Sequence, residues 1–184
     1  MDFGCHGPRR THGSTLALLL VSILLGLRPL AAEERHALVI GNSSYTNGAL
    51  SNPVNDATDI AAKLTQRGFE VVRMENADHR TMEQAIRTFN GKLTGPDRVG
   101  LFYFAGHGME YEGHNYLIPI GTEIQSEVDL PYQAVDAGWV LDGMTKAGNG
   151  LNLLILDACR NNPFGRSFRS ARQGLQRMSP PRVH

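Results

Sequence analysis

Two short apolar runs, each stopping at a reactive side chain, constrain this chain more than any other feature. Leu101 to Phe104 leads into Ala105-Gly106-His107-Gly108, and Leu153 to Leu156 leads into Asp157-Ala158-Cys159-Arg160-Asn161. Brief continuous apolar runs closed by a polar or glycine break fit strands buried on both faces of a parallel sheet. On neighbouring parallel strands, the loops carrying His107 and Cys159 would emerge at one carboxyl edge, where open α/β sheets keep their sites. An imidazole would then stand beside a thiol.

The remaining sequence supplies the other parts of such a sheet. His36 to Gly41 reads as a strand ending on glycine, followed by a polar loop from Asn42 to Ser51. Asn52-Pro53 predicts a helix start, with Asn as N-cap and Pro in the first helical position. Val54, Ala57, Ile60, Ala61 and Leu64 then share one face, and Gly68 ends the helix. Phe69 to Arg73 is a second strand. Thr81 with Gln84 has the form of a capping box, opening a helix with Met82, Ala85, Ile86, Phe89 and Leu93 inward. Beyond the third strand, Met109 to Pro119 reads as a small hairpin. Asp136 is placed to cap a helix through Trp139, Val140, Leu141 and Met144, and Leu151 begins the fourth strand. Alternating strands and helices predict an α/β fold, a three-layer α/β/α sandwich around a mostly parallel sheet.

The N-terminus is of another kind. Arg9 and Arg10 precede the apolar run Leu16 to Leu27, and Pro29-Leu30-Ala31-Ala32 ends in small residues. A basic flank, a short apolar core and a small-residue exit describe a secretory signal peptide over residues 1–32. The run is shorter than the roughly 20 residues that span a bilayer, so no stable membrane insertion is expected after cleavage. The expectation is a secreted or periplasmic protein. Removal of the leader would take Cys5 with it and leave Cys159 as the single cysteine, unable to form an intrachain disulfide. A lone thiol in an oxidising compartment suggests a reactive group, although a small buried cysteine at a strand end is the plainer reading. The formal net charge is zero, which gives no reason to expect nucleic acid or an acidic polymer as partner. Residues 33–164 form the expected domain. Residues 165–184, with five arginines and no acid, read as a flexible tail.

A cysteine nucleophile attacks as the thiolate, while a free thiol with a pKa near ~8.5 is mostly protonated at neutral pH. A histidine within reach lowers that barrier and later protonates the leaving amine. The glycine after His107 lets a carbonyl approach the Gly108 N–H, and the Cys159 N–H can supply a second oxyanion donor. His79 and His114 lack such flanks and read as surface residues. No Cys/His grouping has zinc-ligand spacing, and no calcium-loop pattern is present, so no metal or cofactor is implied.

Ala37-Leu38-Val39-Ile40-Gly41, Asn55-Asp56-Ala57, Phe104-Ala105-Gly106-His107-Gly108 and Asp157-Ala158-Cys159-Arg160-Asn161 occur in this order. Together they resemble the large-subunit part of the caspase-like cysteine peptidases, closest to the bacterial caspase and metacaspase branch. The 52 positions between His107 and Cys159 match the interval of about 50 expected there. The resemblance implies a cysteine endopeptidase acting on a peptide or protein substrate, with His107 and Cys159 as catalytic dyad and Gly108 with Cys159 as oxyanion hole. It also implies that Asp56 and Asp157 line the pocket for the residue before the cut, favouring Arg or Lys. Paired carboxylates suit a guanidinium, although the same two acids also fit as a helix-start and a strand-end residue. Ala105 departs from the pattern, where a serine hydroxyl often faces the pocket. The resemblance further implies C-terminal strands missing from this chain, which would leave the sheet edge beyond the Cys strand open to self-association or a partner strand. Two alternatives follow: a catalytically inactive caspase-like interaction module, or a fragment needing the missing segment. An asparagine-directed peptidase is a third.

Overall fold

The computed structural model describes Met1, residues 33–159 and, beyond them, residues 172, 173, 175, 176 and 178. The expected leader, Cys5 and most of the arginine-rich stretch lie outside the described residues. So do the side chains of Cys159, Arg172 and Gln173.

Four parallel strands form the centre of the domain. They are β1 (Glu34–Gly41), β2 (Glu70–Glu75), β3 (Arg98–Tyr111) and β6 (Leu151–Cys159), side by side in the order β2-β1-β3-β6. The long β3 continues past the parallel region and turns back into β4 (His114–Leu117), which pairs with it antiparallel and with the short β5 (Val135–Asp136). Helices α1 (Pro53–Gln66), α2 (His79–Lys92) and α4 (Ala137–Lys146) cover the sheet, and a single-turn α3 (Leu130–Gln133) precedes β5.

The period-two alternation of strands sorts the core into layers. Ala37 and Val39 of β1, with Leu101, Tyr103 and Ala105 of β3, face α1 through Ala57 and Ala61. Leu38, Ile40, Phe102 and Phe104 face the other way, against Met82, Ile86 and Phe89 of α2 and Val140 and Met144 of α4. This is the expected three-layer α/β/α sandwich. A separate cluster of Tyr45, Met109, Tyr116, Ile118 and Leu130 fills the space beside the hairpin.

Local signals were right about the elements and the Asn52-Pro53 helix start, but one cap lacks its side-chain bond and another is misplaced. Asn52 is already in helical conformation and makes no side-chain cap; Ser43 Oγ accepts from the Val54 N–H instead, at 3.3 Å. The second helix begins before Thr81. Asp78 is its N-cap, accepting from the Thr81 N–H at 2.8 Å, so Thr81 is part of the first turn rather than its cap. Asp136 caps α4 as expected, accepting from the Gly138 N–H at 2.7 Å.

His107 is also not in a loop. Strand β3 runs through it to Tyr111, and the hairpin turns at Glu112-Gly113, whose φ values of 50° and 85° are those of a tight primed turn. Of the stretch expected to be a mobile tail, the described residues are docked. β7 (Arg172–Gln173) pairs with β3 through Glu110↔Arg172. The Asn115 side chain then exchanges two hydrogen bonds with the Gln176 backbone, at 2.9 and 2.8 Å.

Candidate active site

The sheet register brings the two sequence-predicted reactive positions together. β3 and β6 run in parallel register from Val99↔Leu151 to His107↔Cys159, so these two residues are Cα partners where the parallel pairing ends on its carboxyl side. Cys159 is the last residue of its strand.

His107 is held on three sides. Its side chain lies in a residue only 2% exposed. The Nε2 atom is 2.6 Å from the Gly48 carbonyl oxygen, which can only accept, so Nε2 carries the proton. Tyr45 packs its ring against the imidazole at 4.4 Å between centroids, and its hydroxyl accepts from the His107 N–H at 2.9 Å. The same hydroxyl donates to the Ile118 carbonyl at 3.0 Å. With Nε2 protonated, Nδ1 is the basic nitrogen, and it is buried with no hydrogen-bond partner among the described residues. Burial lowers the His107 pKa below its usual 6.5, while the bond to Gly48 pulls it partly back. The ring is therefore neutral at pH 7 and ready to accept a proton.

Gly41 fixes where α1 starts. A Cβ on this residue would meet the Pro53 carbonyl oxygen at 2.5 Å and the Ala57 methyl at 2.7 Å, so only glycine allows the helix to sit so close to the end of β1. That contact brings the first turn of α1, with Asp56, to the carboxyl edge of the sheet. On the same face, Ala105 is flanked by Gly41 on β1 and by Asp157 on β6. Tyr103, two residues earlier on β3, donates from its hydroxyl to Asp157 Oδ2 at 3.2 Å. Its pKa is raised, first by burial and then by the charges of Asp157 and Asp56. Both sequence-predicted acids therefore act on one phenol.

Gly108 stands one residue past His107 and pairs with Leu117 of β4. Its lack of a side chain has a packing cause besides carbonyl access: a Cβ would meet the Ala158 methyl at 2.8 Å and Leu175 Cδ2 at 2.9 Å. His114 forms an exposed pair with Asp136 at 2.9 Å, away from His107. A mainly apolar cavity of about 240 Å³ lies between β2 and α2, lined by His36, Val72, Met74 and Phe89 among others. It touches none of the residues above.

Four residues of this site gave no sequence signal of their own. Tyr45 and Gly48 sit in a polar loop and act on His107 across 62 and 59 positions. Asn42, read only as the start of that polar loop, is fully buried. Its amide accepts from the Ala77 N–H at 2.9 Å and donates to the carbonyls of Ala77 and Ile118. It thus pins the loops at this edge. Tyr103 passed as one more apolar strand residue.

Comparison with known proteins bears on this arrangement. A family model described as the caspase domain, of the C14 peptidases, matches residues 34–181. The human mucosa-associated lymphoid tissue lymphoma translocation protein 1 is 31% identical over 133 residues, and its mouse homolog 32%. Each match covers 70% of this chain and 15% of the length of the relative. A crystal structure of a Geobacter sulfurreducens protein superposes with a TM-score of 0.52 at 19% identity, covering 68% of this chain and 50% of that one. The last is a likeness of fold alone.

Proposed function

Because the chain belongs to the caspase-domain family of cysteine peptidases, we propose that it carries a His107–Cys159 dyad and hydrolyses peptide bonds after arginine or lysine. One observation carries the reading. The basic nitrogen of a neutral, buried His107 is left without a partner at the position whose neighbour across the sheet is Cys159.

The chemistry follows from that geometry. Gly48 holds the Nε2 proton and so keeps the Nδ1 lone pair available. His107 takes the Cys159 proton through Nδ1, and the thiolate sulfur attacks the carbonyl carbon of the substrate. The resulting oxyanion is stabilised by the backbone N–H groups of Gly108 and Cys159. The imidazolium then gives its proton to the leaving amine, the C–N bond breaks, and a thioester remains. Water, deprotonated by His107, cleaves the thioester and restores the thiol. Lowering of the His107 pKa by burial suits the opening step, since a neutral imidazole is the form that accepts a proton. Asp56 and Asp157 supply the negative pocket for the basic side chain before the cut.

Export through a leader at residues 1–32 belongs to the same proposal, as does assembly through the edge of β6, which among the described residues pairs with β3 alone. A shortened mature N-terminus in exported material, read by mass spectrometry, checks the first. Sedimentation of the purified chain checks the second.

The decisive test is a panel of fluorogenic peptides carrying Arg, Lys, Asp or Asn before the scissile bond. Turnover after Arg and Lys, lost in Cys159→Ala and in His107→Ala, is the expected result. Cleavage only after Asp would refute the acidic pocket. Absence of turnover, together with a Cys159 that resists iodoacetamide below pH 8, would refute the dyad.

A further inference from the structure

We propose that the Tyr103 hydroxyl is a specificity-determining group that makes this pocket select arginine over lysine. The inference rests on the peptidase reading above and adds a residue to the same site.

Two carboxylates attract any cation. Asp56 and Asp157 by themselves favour a basic residue without deciding which one. Discrimination needs acceptors arranged for a planar group, because a guanidinium presents five N–H donors in a fixed fork, whereas an ammonium presents three on a compact head. Tyr103 supplies such an acceptor. Its hydroxyl donates to Asp157 Oδ2, and a phenol oxygen keeps lone pairs that can take an N–H from the substrate. The bond also steers the Asp157 carboxylate, which stands on an exposed part of β6 and would otherwise sample solvent.

Shape and charge agree with this role. Next to Asp157 on β3 stands Ala105, which carries only a methyl on the face it shares with Tyr103. Tyr103 itself is 4% exposed, held between the sheet and α1. Its ring therefore cannot swing out, and the hydroxyl has a set position. The raised phenol pKa keeps the proton on oxygen across the physiological range, so the donor role towards Asp157 persists.

The test separates this claim from catalysis. Full-length Cys159→Ala protein is titrated with N-acetyl-arginine amide and with N-acetyl-lysine amide, and binding is followed by NMR. The arginine amide should bind about tenfold more tightly, the effect of one added hydrogen bond to a charged group. Tyr103→Phe should bring the two probes within about threefold of each other, chiefly by weakening the arginine amide. Adding Ala105→Ser to that variant should restore part of the preference, since residue 105 is the neighbour of Asp157 on the same face. A second measurement needs no substitution at position 103: the ring carbon bearing the Tyr103 hydroxyl should shift on titration with the arginine amide and much less with the lysine amide. Equal binding of both amides by the Cys159→Ala protein, or an unchanged ratio in Tyr103→Phe, would overturn the proposal. Arginine preference without any peptide turnover by the Cys159 protein would sink the peptidase reading and leave this one standing. Turnover after both residues, at a ratio that Tyr103→Phe does not alter, would sink this one alone.

Discussion

Strands β3 and β6 each carry a short apolar run, Leu101 to Phe104 and Leu153 to Leu156, and occupy different environments. β3 is buried from Val99 to Glu110. It is flanked by β1 and β6 in its parallel part and by β4 and β7 in its extension. β6 pairs with β3 alone among the described residues, and along its α1-side face Leu151, Leu153 and Ile155 are 50%, 38% and 44% exposed. Its opposite face packs Leu154 and Leu156 against the core around α4. An apolar run thus signals a strand, while the number of neighbours it acquires decides how much each side chain stabilises the fold. His107 thus stands on a strand buried along its length and Cys159 at the end of one exposed along a face.

Substitutions can break this contrast. Phe102 is fully buried in the centre of β3, and Phe102→Ala should cost about 3–5 kcal/mol, measured by urea denaturation. That is a large part of the stability of a domain this size. Asn42→Ala should cost about 1–3 kcal/mol, because it leaves the buried Ala77 N–H without its partner inside the protein and removes one of the donors to the Ala77 and Ile118 carbonyls. Its effect should reach the imidazole as well, since Asn42 and Tyr45 share the Ile118 carbonyl as acceptor.

A pH experiment sharpens the contrast from the β3 side. The folded pKa of His107 is depressed below 6.5, so between that value and the lowered one the unfolded chain binds a proton that the native chain does not. Stability should therefore be complete above pH 6.5 and fall as pH drops through the window. His107→Gln should flatten that limb of a stability-against-pH curve, and an unchanged slope would remove the argument for a neutral, desolvated ring.

The smallest effect should come from β6. Ile155→Ala should cost about 1 kcal/mol or less, in keeping with a side chain that keeps much of its surface in water. If it costs as much as Phe102→Ala, the face of β6 is covered in solution and the comparison between the strands fails.

The parts of this protein that were readable beforehand share a physical character. Strand and helix positions follow from hydrophobic period, and β1, α1, α2, β3 and α4 fall where the apolar residues put them. The neighbourhood of His107 and Cys159 was readable because two apolar strands, each leading into a reactive side chain, have few places to go in a parallel sheet. Caps were less legible. Asn52 had the right residue type for capping α1 and Ser43 took part of that role, eleven positions away. Thr81 fitted a local pattern that Asp78 pre-empted by starting the helix earlier.

The sequence by itself determined the alternation of strands and helices, the two reactive side chains and their order, because these depend on residue type and short-range period. Only the tertiary structure decided that the Gly48 carbonyl selects the tautomer of His107, that the Tyr45 hydroxyl holds its backbone, and that one phenol lies under the influence of both Asp56 and Asp157. Those contacts join residues some fifty to sixty positions apart through a carbonyl that every residue has and hydroxyls that many do. No local pattern marks them. They exist once packing has brought the loop after β1, the first turn of α1 and the ends of β3 and β6 to one edge of the sheet.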